Sequence, residues 1–475
     1  MTITLGPIIG HTTDTSAKIW IRGEANDDKE AKRFCVGLID VFKGKTWVTS
    51  CRCFLRDYYD FTGAVELSEL KPATAYRVVC NTTYVSDELE VTRLVRDDKP
   101  VRPLNRAEES VEGTFTTDRA PADGTLNFVF GSCRYLYWDN VFQSDAEKGD
   151  KTFRSIVEKH SQKPFDLTLM IGDQVYLDPL NALRQYSTLE EMFDIYRQAF
   201  GLPWIRQMMN RIPTYMILDD HEIRDDWSRE KLDDVGKGFY VSAMRGYESY
   251  QHLHNPATPK GQYWYTFQKG AFPFFVMDTR TQRIREPSSI EPRSVLGREQ
   301  LNAFLTWLSE HRGAPMIFVV SSVPFFPDPK SGDDKWVGFP EERSIILEFI
   351  RVEKISNVVV LSGDVHNSCF AGMRCYQDPT FGLTSLVASP FYWPYPHENR
   401  SNFYGGRTLE FMQWSDGTRR MRDRIEYRYE GEGFIGEESF VTVSVDASRK
   451  GKIGQARIYD RKGEPQEDYP GVFKF

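Results

Sequence analysis

Four stretches of this sequence end a long apolar run in residues that can ionise or hold a metal. Cys133 follows LNFVFGS, Asp173 follows FDLTLMIG, Asp219, Asp220 and His221 follow TYMIL, and Asp364 and His366 follow NVVVLSG. Side chains at the carboxyl ends of neighbouring strands converge on one edge of an open α/β sheet, where ligands bind. Carboxylates gathered there raise one another's pKa, so Asp173, Asp220 and Asp364 need compensating positive charge, and metal ions supply it most directly. A carboxylate can bridge two ions about 3.5–4 Å apart, the spacing that clamps both oxygens of an in-line displacement. Asp173, central among the motifs, is the candidate bridge.

Each motif alone has an ordinary reading. A thiol after a strand is usually inert and buried, Asp219 or Asp220 could cap a helix, and a Gly-Asp pair could be a turn. Their occurrence together and in order, each at a strand end, favours one shared site. Other residues stay ordinary. His252 and His254, two apart on a predicted helix, share no face and are expected to be solvated. Cys51 and Cys53 alternate on a strand with no pairing implied, and Cys369 and Cys375 are expected to be buried.

The elements that must position these groups follow from periodicity. Residues 126–132, 165–173, 214–220, 273–278, 315–322 and 355–364 read as buried strands, and the helical stretches between them argue for α/β construction. In REQLNAFLTWLSEHR, Leu301, Phe304, Leu305 and Leu308 mark the face a helix would bury. Residues 1–118 read instead as short alternating strands of a β-sandwich. The charged, Gly- and Pro-bearing segment at 118–124 marks a boundary, and 125–475 forms the second unit, with SFVTVSVD and GQARIYD completing a sheet. Residues 389–406, rich in aromatics, Pro and Gly, are expected to form a loop on the rim of a site.

Composition narrows the partners. With a net charge of -8, the 475-residue chain is not expected to bind nucleic acid or an anionic membrane broadly, although local cations could hold a small anion. No apolar run approaches the ~20 residues of a membrane span. The opening MTITLGPIIGHTTD has no basic segment before an apolar one, so a cytoplasmic location is expected. The seven cysteines form no C-x-x-C pattern, which argues against structural zinc or a disulfide framework. Oligomeric state is not legible.

The motifs FGSCRY, MIGDQVYLD, ILDDHEIRDDW, VMDTRTQR and LSGDVHNS, in that order over about residues 125–390, resemble the PhoD-like alkaline phosphatase family of the calcineurin-like metallophosphoesterase superfamily. LKPATAYRVVCNTTY and GTFTTD are similar to fibronectin type III-like domains, which that family also carries. The resemblance implies an α/β (α+β) four-layer metallophosphoesterase sandwich with mixed sheets, preceded by a fibronectin III-like β-sandwich. It implies that Cys133 binds the first metal, that Asp173 bridges, and that Tyr176 stands where purple acid phosphatases hold a tyrosinate on Fe(III). Asp220, Asp364 and His366 fall at ligand positions and His221 at the catalytic histidine.

A phenol with pKa ~10 and a thiol with pKa ~8.5 need a strong Lewis acid to ionise, which suits Fe(III). The oxygen-rich remainder suits Ca, Mg or Mn, with Zn less apt. Arg134 and Arg280 are placed to fork onto phosphate oxygens. The expected activity is hydrolysis of phosphate mono- and diesters at alkaline pH: a hydroxide shared by the ions attacks phosphorus and His221 assists the leaving oxygen.

Departures matter. Ser132-Cys133 replaces the D-x-H that opens many metallophosphoesterases, and a further histidine between the GNH and GHxH positions has no clear counterpart. Both are what a PhoD-like site shows. Asp225 and Asp226 stand where that family commonly carries asparagines, which disfavours a dianionic monoester. The alternatives are therefore a phosphodiesterase or other binuclear-metal hydrolase, and a catalytically degenerate scaffold that binds partners through its β-sandwich.

Overall fold

The computed structural model describes residues 3–25, 34–96, 110–119, 124–136, 145–178, 186–288, 291–415, 420–449, 453–466 and 473–474. Seven strands come first: β1 (Leu5–Thr12), β2 (Ala17–Arg22), β3 (Phe34–Lys43), β4 (Thr46–Leu55), β5 (Thr62–Leu67), β6 (Ala75–Val85) and β7 (Val111–Thr116). They form two antiparallel sheets, ordered β1-β2-β5 and β4-β3-β6-β7. Alternation sends Ile19, Ile21, Ile39, Val78 and Phe115 into one shared core. The boundary expected at 118–124 falls partly on residues 120–123, outside the described residues.

This unit is fastened to the remainder of the chain. The Trp20 indole donates to the Ser249 carbonyl at 2.7 Å. Asp60 accepts from Arg22 and from Arg197, each at 2.8 Å. The buried Lys269 ammonium donates to Asp118 at 2.9 Å and to the Thr12 carbonyl at 2.8 Å.

The second unit is built on two mixed sheets. One is six-stranded: β8 (Thr125–Gly131), β9 (Leu167–Ile171) and β10 (Thr214–Ile217) run parallel in the order β10-β9-β8, and the order continues through three late strands. The other is eight-stranded and contains β11 (Tyr265–Lys269), β12 (Phe272–Val276), β13 (Ile317–Ser321), β14 (Val358–Ser362), β15 (Ser368–Cys375), β16 (Gly382–Val387), β17 (Gly406–Ser415) and β18 (Arg420–Ile435). Its order is β11-β12-β13-β14-β16-β15-β18-β17, with β12, β13, β14 and β16 parallel. The late strands of the first sheet are β19 (Ser439–Asp446), β20 (Gly454–Asp460) and β21 (Phe473–Lys474), and β19 pairs antiparallel with β8.

β9, β13 and β14 are buried along their whole length, because the sheets pack face to face and helices cover their outer faces. Between the sheets, Phe128 meets Phe318 at 5.2 Å and Leu169, Ile171, Val359 and Leu361 share the same cluster. Outside the first sheet, Val129 and Met170 pack with Phe153 and Ile156 of helix Asp145–Gln162 and Phe193 of helix Leu189–Gly201. The latter helix starts on a Thr188/Glu191 capping box. Outside the second sheet, Phe275 and Val319 pack with helices Gly297–Glu310 and Pro340–Val352.

Two expectations change. Helix Gly297–Glu310 buries Gln300, Phe304, Trp307 and Leu308, whereas Leu301 and Leu305 are only half-buried; the Gln300 amide is satisfied there by bonding the backbone of Asp278 in both directions. His254 is buried, not solvated: its Nδ1 lies 3.1 Å from the Thr214 carbonyl, and burial holds the ring's pKa down at about 3. The helix ends in a π-helical turn at Glu248–His252, and His254 follows it in a turn where helical periodicity no longer reports burial. All seven cysteines are free thiols, with Cys369 and Cys375 buried as expected. Among the described residues, no helix is long and apolar enough to cross a membrane.

Candidate metal centre

The strand ends bring the acids together. Asp173 follows β9, Asp219 and Asp220 follow β10, and Asp364 follows β14; all four offer oxygens within 4.8 Å of one another. Asp173 and Asp220 also form such a group with His221, and Asp220 forms a third with Asp226 and Asp334. No helix begins at Asp219 or Asp220, which removes the capping alternative. The backbone is driven into the left-handed region at Cys133 (φ 54°), Asp173 (φ 55°), Asp226 (φ 54°), Asp364 (φ 71°) and His366 (φ 45°). Such strain gathers where a site over-determines the chain. Gly172, at φ 78°, makes the turn before Asp173 with no side chain, and a Cβ there would stand 2.4 Å from the Asp219 Cβ.

Glu222 holds the turns in place. Buried itself, it accepts from the backbone N–H groups of Asp173 (3.0 Å), Gln174 (2.7 Å) and Asp219 (2.8 Å), and from the Gln251 amide (2.9 Å). Ser132 Oγ accepts from the Asp364 N–H at 3.1 Å, and the Cys133 N–H donates to the Gly172 carbonyl at 3.2 Å. The motifs are thus tied to one another through Glu222, Ser132 and the Cys133 amide, by bonds that use none of the carboxylate oxygens of Asp173, Asp220 and Asp364.

Ionisation differs across the cluster. Burial pushes Asp173 well above the usual carboxylate range, with Asp220, Asp219 and Glu222 adding to it. Burial, Asp219 and Asp220 push Asp364 up to about 8 in spite of Lys335. Burial works the same way on Asp220, but Arg280, His221 and Lys335 outweigh it and hold that carboxyl low. The Cys133 thiol, 3.3 Å from Asp173 Oδ2, is raised by burial and by Asp173 and Asp364. The Tyr176 phenol is raised by burial, Asp173 and Cys133.

His221 Nδ1 lies 2.8 Å from Asp178 Oδ1. Burial opposes charge on this ring, but Asp178, Asp220 and Asp173 prevail and raise its pKa well above the ordinary value. Its Nε2 is 3.9 Å from Asp225, whose carboxylate is 65% exposed. The His366 ring stacks on Trp393 at 3.6 Å and is kept neutral by burial and by His221, which leaves one of its nitrogens unprotonated and open to a ligand role. It is outside the three close groups. Trp393 belongs to the irregular 389–406 segment and joins Tyr135 and Tyr176 in an aromatic wall, Tyr176 in turn lying 4.2 Å from the His221 ring.

The two arginines part company. Arg280 enters the site with its side chain fully buried, but it faces the protein's own acids: Asp219, Asp220 (3.2 Å), Asp334 (3.5 Å) and Asp364 (3.7 Å). Arg134 does not reach the cluster. Its guanidinium donates to the carbonyls of Ala199 at 2.8 Å and Gln174 at 3.4 Å and lies over Phe153 and Phe200, so its phosphate role is replaced by a packing one. The chain turns through the left-handed region at Cys133, and Arg134 leaves it toward Ala199, Phe153 and Phe200 rather than toward the cluster.

Sequence reasoning passed over Asp178, Glu222, Asp334 and Lys335. Asp178 and Glu222 sit inside motifs already singled out and could have been found there. Asp334 and Lys335 lie on a bend between β13 and helix Pro340–Val352, with no apolar run before them to signal a strand end.

The donors fit metal ions. Asp219 Oδ2 and the Tyr176 hydroxyl are buried without a hydrogen bond, and Asp220 Oδ1 and Asp364 Oδ2 have ion-pair neighbours but no hydrogen bond. Buried polar atoms left so incur a desolvation penalty that a cation would remove.

Comparisons with known proteins agree with this geometry. A family model described as PhoD-like phosphatase matches residues 128–423. Alkaline phosphatase D of Bacillus subtilis (strain 168) is 25% identical over 300 residues, 53% of this chain and 48% of that protein. The chain therefore matches about half the length of this curated relative. Among solved structures, that of PhoD aligns with a TM-score of 0.66 at 19% identity, covering 100% of this chain and 92% of the other. A purple acid phosphatase from yellow lupin (Lupinus luteus) seeds aligns with a TM-score of 0.59 at 13% identity, covering 97% and 72%. At such identities these two show a shared fold.

Proposed function

The chain belongs to the PhoD-like phosphatase family, and from that premise we propose that it is a metal-dependent hydrolase of phosphate mono- and diesters. The observation that carries the proposal is the convergence of buried Asp173, Asp219 and Asp220 with half-buried Asp364, from three strand ends, within 4.8 Å. Cys133, Asp173 and Tyr176 would hold the first ion, with Fe(III) suited to a thiolate and a phenolate. Asp173, Asp220, Asp364 and His366 would hold a divalent ion, Ca, Mg or Mn by their oxygen content. When bound, such ions supply the Lewis acidity that activates water and neutralises phosphoryl oxygens.

The protein's own part is positional. Asp178 fixes the His221 tautomer and keeps the ring protonated, so that Nε2 carries a proton for the leaving oxygen. The wall of Tyr135, Tyr176 and Trp393 limits water on that side. Asp225 beside Nε2 favours a diester, which brings one negative charge rather than two. Residues 1–118 are read as a fibronectin III-like unit, supported by the division into sheets of three and four strands, and 125–475 as the metallophosphoesterase unit.

Asp173→Asn tests the proposal with nitrophenyl phosphate, bis(nitrophenyl) phosphate and metal analysis. Metal content, a visible tyrosinate absorption and hydrolysis are expected to fall together. A variant that keeps the parent's metals and turnover refutes the bridging role, and undiminished hydrolysis in strong chelator refutes metal dependence.

A further inference from the structure

The carboxylate cluster already contains two cations, and they differ in kind. Arg280 is fully buried, and its Nε is held by Asp219, so it is a fixed part of the site. Lys335 is not fixed in this way. Its Nζ lies 2.6 Å from Asp334 Oδ2 and pairs with Asp364 Oδ2, while its side chain keeps 14% of its surface exposed. It rides on a bend, on a flexible four-carbon stem that can carry the amine outward. Asp364 belongs to one group of close carboxylates and Asp334 to another, so this one amine spans both.

We propose that Lys335 is a tethered cation, anchored by Asp334, that competes with a divalent metal ion for Asp364. With the amine in place, the two acids have a counter-charge and the metal-free protein is spared their repulsion. A divalent ion that takes the Asp364 oxygen held by the amine must displace it, because that oxygen cannot be in contact with both cations. The apparent affinity for the ion is then lowered by the fraction of protein in which the amine holds the acids. Displaced, the ammonium stands at the mouth of the site, where a phosphoryl oxygen can use it. The inference rests on the proposed function for the presence of the ion, but Lys335 is read separately from hydrolysis.

The test is calorimetric titration of Mn²⁺ into chelator-stripped wild type, Lys335→Met and Lys335→Arg, with the melting temperature of each metal-free protein. Lys335→Met is expected to bind Mn²⁺ about tenfold or more tightly than wild type and to melt lower without metal. Lys335→Arg retains the charge and is expected to keep near-wild-type affinity. If Lys335→Met fails to fold, Lys335→Gln, which keeps a donor without the charge, is expected to shift affinity in the same direction. Unchanged or weaker Mn²⁺ binding in the folded neutral variants overturns the role of Lys335 while leaving the proposed function standing. A wild type that takes up none of Mn²⁺, Mg²⁺ and Ca²⁺ overturns both, and is recognised before any variant is made.

Discussion

The pair of His221 and Asp178 lends itself to a quantitative test. Replacing Asp178 by Asn preserves shape and one acceptor but removes the charge 2.8 Å from His221 Nδ1, in a contact where the side chains are 9% and 14% exposed. A hydrogen bond to a charged partner contributes about 1.5–3 kcal/mol. If that energy holds the proton on the ring in the transition state, its loss lowers the rate roughly 10- to 150-fold at 1.36 kcal/mol per decade. The loss must depend on the leaving group. An alkyl phosphate ester needs its oxygen protonated as it departs, whereas nitrophenolate leaves without help. The assay is kcat/KM for both on wild type and Asp178→Asn, with matched metal content. The full drop is expected for the alkyl ester and a drop of less than about threefold for the nitrophenyl ester. Equal losses on both refute the assignment of His221 as proton donor, as does no loss on either.

Three further outcomes rest on the geometry. Asp364 has its folded pKa raised to about 8 against ~3.9 unfolded, so between these values the folded protein binds more protons and its stability falls as pH rises. The chelated protein should therefore melt progressively lower from about pH 4 to about pH 8, with added divalent ion reversing the trend; a flat or rising profile refutes it. Gly172→Ala puts a Cβ 2.4 Å from Asp219 Cβ at a left-handed φ, and should cost roughly 2–5 kcal/mol in chemical denaturation along with bound metal. Asp225→Asn removes a largely exposed charge near His221 Nε2, and should raise the monoester-to-diester turnover ratio roughly two- to fivefold, an effect that high salt should diminish.

The acids of the centre were legible because each follows an apolar run, and a parallel strand buried on both faces must end in the residues that face its ligand. Asp173, Asp220 and Asp364 met as expected on that reasoning. What failed was direction. Adjacency to Cys133 put Arg134 near the site, but chain neighbours diverge, and two phenylalanines with two carbonyls claimed its guanidinium. His254 was misread because it lies in the turn that follows the helix, where helical periodicity does not report which side is buried. Lys335 and Asp334 were invisible because they arrive on a loop, where no periodicity reports position. The sheet of three and the sheet of four at the start of the chain were foreseen as strands, though their order required pairing across the whole unit.

One pairing bears on how the molecule is made. β8, which leads into Cys133, is flanked by β9 on one side and by β19 on the other, and their register joins Phe130 to Val441 across more than three hundred residues. A nascent chain that has not yet released residues 439–446 from the ribosome carries β8 with one row of backbone donors and acceptors open, a template for adhesion to other chains. The residues proposed to hold metal are all synthesised before that strand, so premature termination would yield a polypeptide that has every proposed ligand and lacks the neighbour needed to seal the sheet from which Cys133, Asp173 and Asp220 project.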